Sequence, residues 1–203
     1  MSDIDTLRKL KNEGFEPKRI LDIGASNGSW SNSVSSVFPT AKYFLIEGNT
    51  EHEQNLINSG FPFKIEILGS ENKEVVFYKS VNDKFSTGNS IYRENTSYFK
   101  DVIEEKRNMV TLDSLNLGDD FDLVKIDTQG AEIDIVKGGI NTLKNTKYII
   151  AECPCVQYNQ GAPSTFEEVF SFFQTIGFKV VEKVQDHHVE GRHVQSDFLF
   201  ERI

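Results

Sequence analysis

Only two cysteines occur in the 203 residues, Cys153 and Cys155 on either side of Pro154, and this spacing supplies neither a zinc-binding CxxC knuckle nor a disulfide framework. Both read as small buried side chains. Basic residues are also scarce: 22 Lys and Arg stand against 31 Asp and Glu, a formal net charge of −9. A phosphate backbone is normally held by clustered cations that displace its counterions, so this balance argues against nucleic acid as a partner. No apolar run approaches the roughly 18 residues of a membrane span. Residues 1–11 are charged and periodic, unlike a secretory leader, and the expected location is cytoplasmic. No linker or internal repeat interrupts the chain. With 38% hydrophobic and 11% aromatic residues, the length suits one domain over residues 1–203 with a core that needs no staple.

Short apolar runs alternate with segments of helical period, the pattern of an α/β protein whose mostly parallel sheet is covered by helices. The spacing predicts strands at 19–23, 42–47, 63–68 and 74–78, the last two joined across the Gly69-Ser70 turn, with helices at 29–38 and 51–58. Residues 79–108 are polar and poorly periodic. A central strand is expected at 121–127, followed by a helix interrupted at Gly138-Gly139, and another strand at 148–151. Ser164-Thr165-Phe166-Glu167 has capping-box spacing, and Phe166, Val169, Phe170, Phe173 and Ile176 form one helical face stopped by Gly177. Two closing strands, 178–184 and 196–200, are separated by about a dozen residues and form an antiparallel pair.

The first strand runs into Asp22-Ile23-Gly24-Ala25-Ser26-Asn27-Gly28, a strand–turn–helix in which backbone N–H groups approach a ligand at the carboxyl edge of the sheet. Its spacing, DxGxSxG, lacks the GxGxxG by which a helix N-terminus holds a pyrophosphate. Glu47 ends the second strand about 20 residues later, where a carboxylate accepts hydrogen bonds from ribose hydroxyls. Together they indicate nucleoside-type binding without a pyrophosphate.

The stretch from Leu123 to Gly139, LVKIDTQGAEIDIVKGG, resembles the signature of the FkbM methyltransferases. The resemblance extends through Leu21 to Gly28, Ile46-Glu47-Gly48-Asn49, Thr111 to Leu115, Ala151-Glu152 and Ser196 to Phe200. The family usually has Glu where Gln129 stands. The resemblance implies the class I (Rossmann-like) methyltransferase fold, a seven-stranded mostly parallel sheet with an antiparallel last strand. It also implies S-adenosylmethionine (SAM) as cofactor and O-methylation of a sugar, glycan or glycosylated natural product. A dinucleotide-dependent oxidoreductase or epimerase, and a SAM-binding protein without methyl transfer, are the alternatives.

The candidate cofactor contacts are Asp22, Gly24, Ala25, Ser26, Asn27, Gly28, Glu47 and Asn49, with Gly69, Ser70, Ser90 and Asp127 beyond them. An acceptor hydroxyl gains by losing its proton to a nearby base. Asp127, at the end of the central strand, is read either as that base or as the cap of the helix near Gly130. Lys125 lies in a buried strand and needs a partner, for which Glu152 on the neighbouring strand is expected; the two are read as a structural pair or, alternatively, as catalytic residues. His187, His188, Arg192 and His193 are expected in a connection over the pocket, where His187 or His188 could act as a base. No residue is assigned to a metal, although a histidine with Asp127 or Glu152 could ligate a divalent ion. Residues 87–93 read as a loop over the pocket in which Ser90 and Arg93 contact cofactor or substrate.

Overall fold

The computed structural model describes residues 2–163 and 165–203. Ser2 caps the first helix, α1 (Asp3–Asn12), in a reciprocal capping box with Asp5, and α1 buries Thr6, Leu7 and Leu10. The strands of the main sheet are β1 (Arg19–Ile23), β2 (Lys42–Glu47), β3 (Phe63–Ile65), β7 (Leu123–Ile126), β8 (Tyr148–Pro154), β9 (Phe178–Val189) and β10 (Arg192–Arg202). Their order is β3-β2-β1-β7-β8-β10-β9, and β10 alone runs opposite to the other six. This is the expected seven-stranded α/β sheet with a reversed last strand. Apolar side chains of α1, α2 (Ser29–Ser35) and α3 (Glu53–Ser59) fill one face of the sheet. Those of α4 (Glu132–Lys137) and α5 (Phe166–Thr175) fill the other. Ser164, part of the expected capping box, lies outside the described residues; Thr165 caps α5 by accepting from the Glu168 amide.

Two expectations about the strands are corrected. The predicted strand at 63–68 breaks at Glu66, and β4 (Ile67–Leu68) leaves the main sheet for a second, three-stranded one. Here β6 (Val102–Val110) lies between β4 and β5 (Lys73–Ser80), so the Gly69-Ser70 turn is not a hairpin. The strand β6 falls in the segment read as aperiodic. Most of its side chains stay at least partly in solvent, which removes the alternation a half-buried strand would show.

The second correction concerns the C-terminal strands, which are longer than expected and joined by Glu190-Gly191 alone. Both residues have positive φ, 51° and 76°, as a type I′ turn requires. The histidines therefore sit on the paired strands of a hairpin beyond the carboxyl edge, not in a loop. Polar residues on both strand faces at 185–188 and 192–193 conceal this strand pattern in the sequence.

Candidate active site

The turn after β1 is fixed by Gly24. Its φ is +80°, and a Cβ there would stand 1.7 Å from the Asp127 carbonyl oxygen, so only glycine lets the two strand ends approach. The Gly24 and Ala25 amides donate to the Ile46 carbonyl, which locks the turn to the end of β2. From there Glu47 accepts from Ser26 N through Oε2 and from Asn49 N through Oε1, both at 2.7 Å. Burial pushes its carboxyl up to about 7, against the lowering effect of those two amides.

Beside this turn opens a cleft of about 710 Å³, solvent at its mouth included. Gly24, Ser26, Glu47 and Gly48 line it, together with the apolar Ile46, Ile67, Leu68 and Phe77 and with Ser90, Asp127, Thr128 and Ala131. An apolar slot ending on a carboxylate fits a nucleoside, the base against the aliphatic and Phe77 side chains and the ribose hydroxyls towards Glu47. The residues present therefore fit SAM.

Of the expected cofactor contacts, Gly24, Ser26, Glu47, Ser90 and Asp127 line the cleft, and the others do not. Asp22 is buried under the turn, where it accepts from the Ser31 hydroxyl at 2.6 Å, and burial pushes it up to about 6. Ala25 is buried, Asn27 accepts from the Ser29 amide, and Gly28 caps α2 with φ 79°. Asn49 donates to the Lys84 carbonyl. Gly69 packs between Met109 and Gly138, and Ser70 follows it in the exposed turn. Ser90 Oγ reaches the carbonyls of Thr128 and Gln129, pinning its loop to the turn after β7. The Arg93 guanidinium is spent on the carbonyls of Phe99 and Lys100. Sequence reading missed His52 and Phe77, which line the cleft from segments that carry no motif.

Behind Asp127 lies a second group of charges. Strand register places Asp22 beside Lys125, and Glu152 beside Asp197; alternation puts all four on the sheet face covered by α1 and α2. Lys125 Nζ pairs with Asp127 Oδ2 at 2.6 Å, which corrects the expected Lys125–Glu152 pair. Lys125 stands opposite Ile150, so Glu152 on the neighbouring strand is only diagonal to it, whereas Asp127 lies two positions along on the same face. Glu152 instead accepts from the side-chain amides of Gln129 at 2.7 Å and Gln195 at 2.9 Å. Gln129 also donates to Asp127, at 3.3 Å. Above Lys125, Trp30 lies 5.9 Å away and donates to Asp3.

These neighbours set the protonation states. Burial opposes charge on Lys125, but the surrounding carboxylates outweigh it and raise its pKa. Burial likewise opposes ionisation of Asp127, yet Lys125 and the hydrogen bonds hold it below its usual value. Burial, reinforced by Asp127 and Asp197, drives Glu152 well upward. The reading of Asp127 as a helix cap is not supported: Glu132, inside α4, takes the amides of Thr128 and Gly130.

His187 Nε2 lies 2.9 Å from Asp197 Oδ2, a bond that raises the imidazole pKa. His188, the next residue, projects to the opposite face of the hairpin, with its ring 5.2 Å from that of His193. Among the described residues, no helix is long and apolar enough to cross a membrane.

Solved structures share the fold. Sp1610 of Streptococcus pneumoniae, described as a tRNA (m1A22) methyltransferase, is 9% identical with a TM-score of 0.56, covering 100% of this chain and 70% of that one. The mitomycin 7-O-methyltransferase MmcR is 12% identical with a TM-score of 0.51, covering 98% of this chain and 53% of its own. Magnesium protoporphyrin IX methyltransferase (ChlM) of Synechocystis PCC 6803, solved with bound SAM, is 10% identical with a TM-score of 0.53, covering 98% and 78%. No curated protein sequence matches this chain. Residues 22–180, which hold the glycine turn, Glu47, Lys125, Asp127 and Glu152, match the family described as Methyltransferase FkbM domain, and the chain belongs to that family of SAM-dependent methyltransferases.

Proposed function

We propose that the chain, working as a single catalytic unit in the cytoplasm, is an O-methyltransferase whose acceptor is a hydroxyl of a sugar, glycan or glycosylated small molecule. The observation that carries this reading is the place of Asp127. It is both part of the cleft wall and the end of the buried charged group, so an acceptor meeting the cofactor there meets a carboxylate.

Bound SAM would supply a methyl group made electrophilic by a sulfonium, its carbon–sulfur bond breaking to leave S-adenosylhomocysteine as the new carbon–oxygen bond forms. The rest of the task is alignment, which itself lowers the barrier by several kcal/mol, and removal of one proton. The hydroxyl oxygen donates its hydrogen bond to Asp127 and becomes strongly acidic as its bond to the methyl carbon forms. A carboxylate of lowered pKa then suffices to take the proton. Lys125 and Gln129 hold Asp127 in place, and Glu152 holds Gln129. His187, bound to Asp197, lies close enough for its charge to favour the ionised Asp127; His188, on the other face, has no part in the proposal. A net charge of −9 favours a small or glycan acceptor over RNA.

The test is incubation with methyl-labelled SAM and a panel of sugars, glycosylated small molecules and tRNA. Label recovered as a sugar methyl ether, and lost with Asp127→Asn, supports the reading. Label on tRNA, or on nitrogen of any acceptor, overturns it.

A further inference from the structure

We infer that Glu152, His187 and Asp197 form a binding site for a divalent first-row transition-metal cation. Their ligand atoms, one imidazole nitrogen and two carboxylate oxygens, all lie within 4.8 Å of one another. The 2.9 Å between His187 Nε2 and Asp197 Oδ2 is close to the roughly 3 Å expected between adjacent ligands of an octahedral ion with bonds of about 2.1 Å.

A second observation points to a missing cation. Asp197 is only 3% exposed, and its Oδ1 has no hydrogen-bond partner among the described residues, an arrangement that a buried carboxylate rarely tolerates. Strand register also sets Asp197 directly opposite Glu152, and like charges facing one another across a strand pair repel. The protein cations nearby do not resolve this. Lys125 is committed to Asp127, and His187 reaches only Oδ2.

The surroundings are built as metal sites are. Gln129 and Gln195 both hold Glu152 Oε2, the outer hydrogen bonding that orients a ligating carboxylate. Both amides are nearly buried, while the imidazole is half-exposed and leaves an entry path. A single imidazole among carboxylates favours Mn²⁺ or Zn²⁺ over Mg²⁺ and Ca²⁺, which prefer all-oxygen shells. Three protein ligands leave positions open on an octahedral ion, Gln129 links the site to Asp127, and a cation here would lower the pKa of an acceptor hydroxyl that reached it. That use rests on the methyl-transfer reading; the binding site itself does not.

The experiment is titration of the full-length protein with Mn²⁺, followed by loss of the free-ion electron paramagnetic resonance signal, without SAM. One Mn²⁺ per chain is expected, displaced by Zn²⁺ and weakened by at least about tenfold in His187→Gln and in Asp197→Asn. His188→Gln should bind as the wild type does. Should Asp197→Asn fail to fold, the half-exposed His187 decides. A free-ion signal that persists at millimolar Mn²⁺, or binding equally tight in His187→Gln, would falsify the site whatever the outcome of the methyl-transfer assay.

Discussion

Lys125 Nζ and Asp127 Oδ2 stand 2.6 Å apart on one face of the central strand, and the pair joins the buried charges to the cleft. Removing one member of a buried pair leaves the other unpaired, typically at a cost of about 3–5 kcal/mol. Lys125→Met should therefore lower the melting temperature markedly. It should also depress methyl transfer more than SAM binding, because Asp127 loses its anchor while Glu47 is untouched. Calorimetry and turnover on the same preparation check both; equal loss of binding and turnover would count against the division of labour.

Glu47 should set the pH dependence of cofactor binding. Its carboxyl, pushed up to about 7, accepts from ribose hydroxyls best when ionised. SAM affinity is expected to rise between about pH 6 and pH 8 and then level off. In Glu47→Gln the slope should vanish together with most of the affinity. A flat wild-type profile in calorimetric titration would show that Glu47 does not meet the ribose.

The ligand-free protein should be more stable in mild acid than at neutral pH. Glu47 and Glu132 are both raised from 4.5 to about 7, and Asp22 from 3.8 to about 6, in each case chiefly by burial. A raised folded pKa means that the folded state holds its proton longer. The stabilisation is fully present below the unfolded value and is lost as pH climbs through the folded one. Each such shift corresponds to about 3 kcal/mol. Asp127, shifted the other way, completes its change below this window. Melting scans should give a higher midpoint near about pH 5 than near pH 8, and the reverse order would contradict the assigned burial.

Gly24 and Gly60 offer a matched comparison. Both have positive φ, +80° and +75°, but a Cβ on Gly60 meets nothing within 4 Å, whereas on Gly24 it would overlap the Asp127 carbonyl. Gly60→Ala should cost about 1–2 kcal/mol, the left-handed penalty alone. Gly24→Ala should cost several times more and abolish SAM binding. Denaturant unfolding of the two variants reads the difference directly.

Much of this arrangement was legible in the sequence because it depends on local order. A strand, a glycine turn and an acidic strand end lie within 30 residues, from Arg19 to Glu47, and the chain folds them into the cleft wall in that order. Pairing across the sheet was less accessible. Nothing near Asp197 in the chain points to Glu152, since their proximity follows from the insertion of β10 between β8 and β9. The charged strand β6 was hidden because solvent, not core, receives most of its side chains. Glu132 was hidden for a different reason: it caps from inside the helix, where sequence rules look for a cap before it.

The two-residue Glu190-Gly191 turn sets which residues of β10 face His187 and His188. The pairing there is already offset by a bulge between His193 and Gln195, so one residue gained or lost at the tip would shift β10 against β9 and change the side chains set opposite the two histidines. A single codon inserted or deleted at the tip of this hairpin is therefore a short evolutionary path by which relatives could exchange, recruit or abandon the chemistry at this edge without altering any residue of the cofactor cleft.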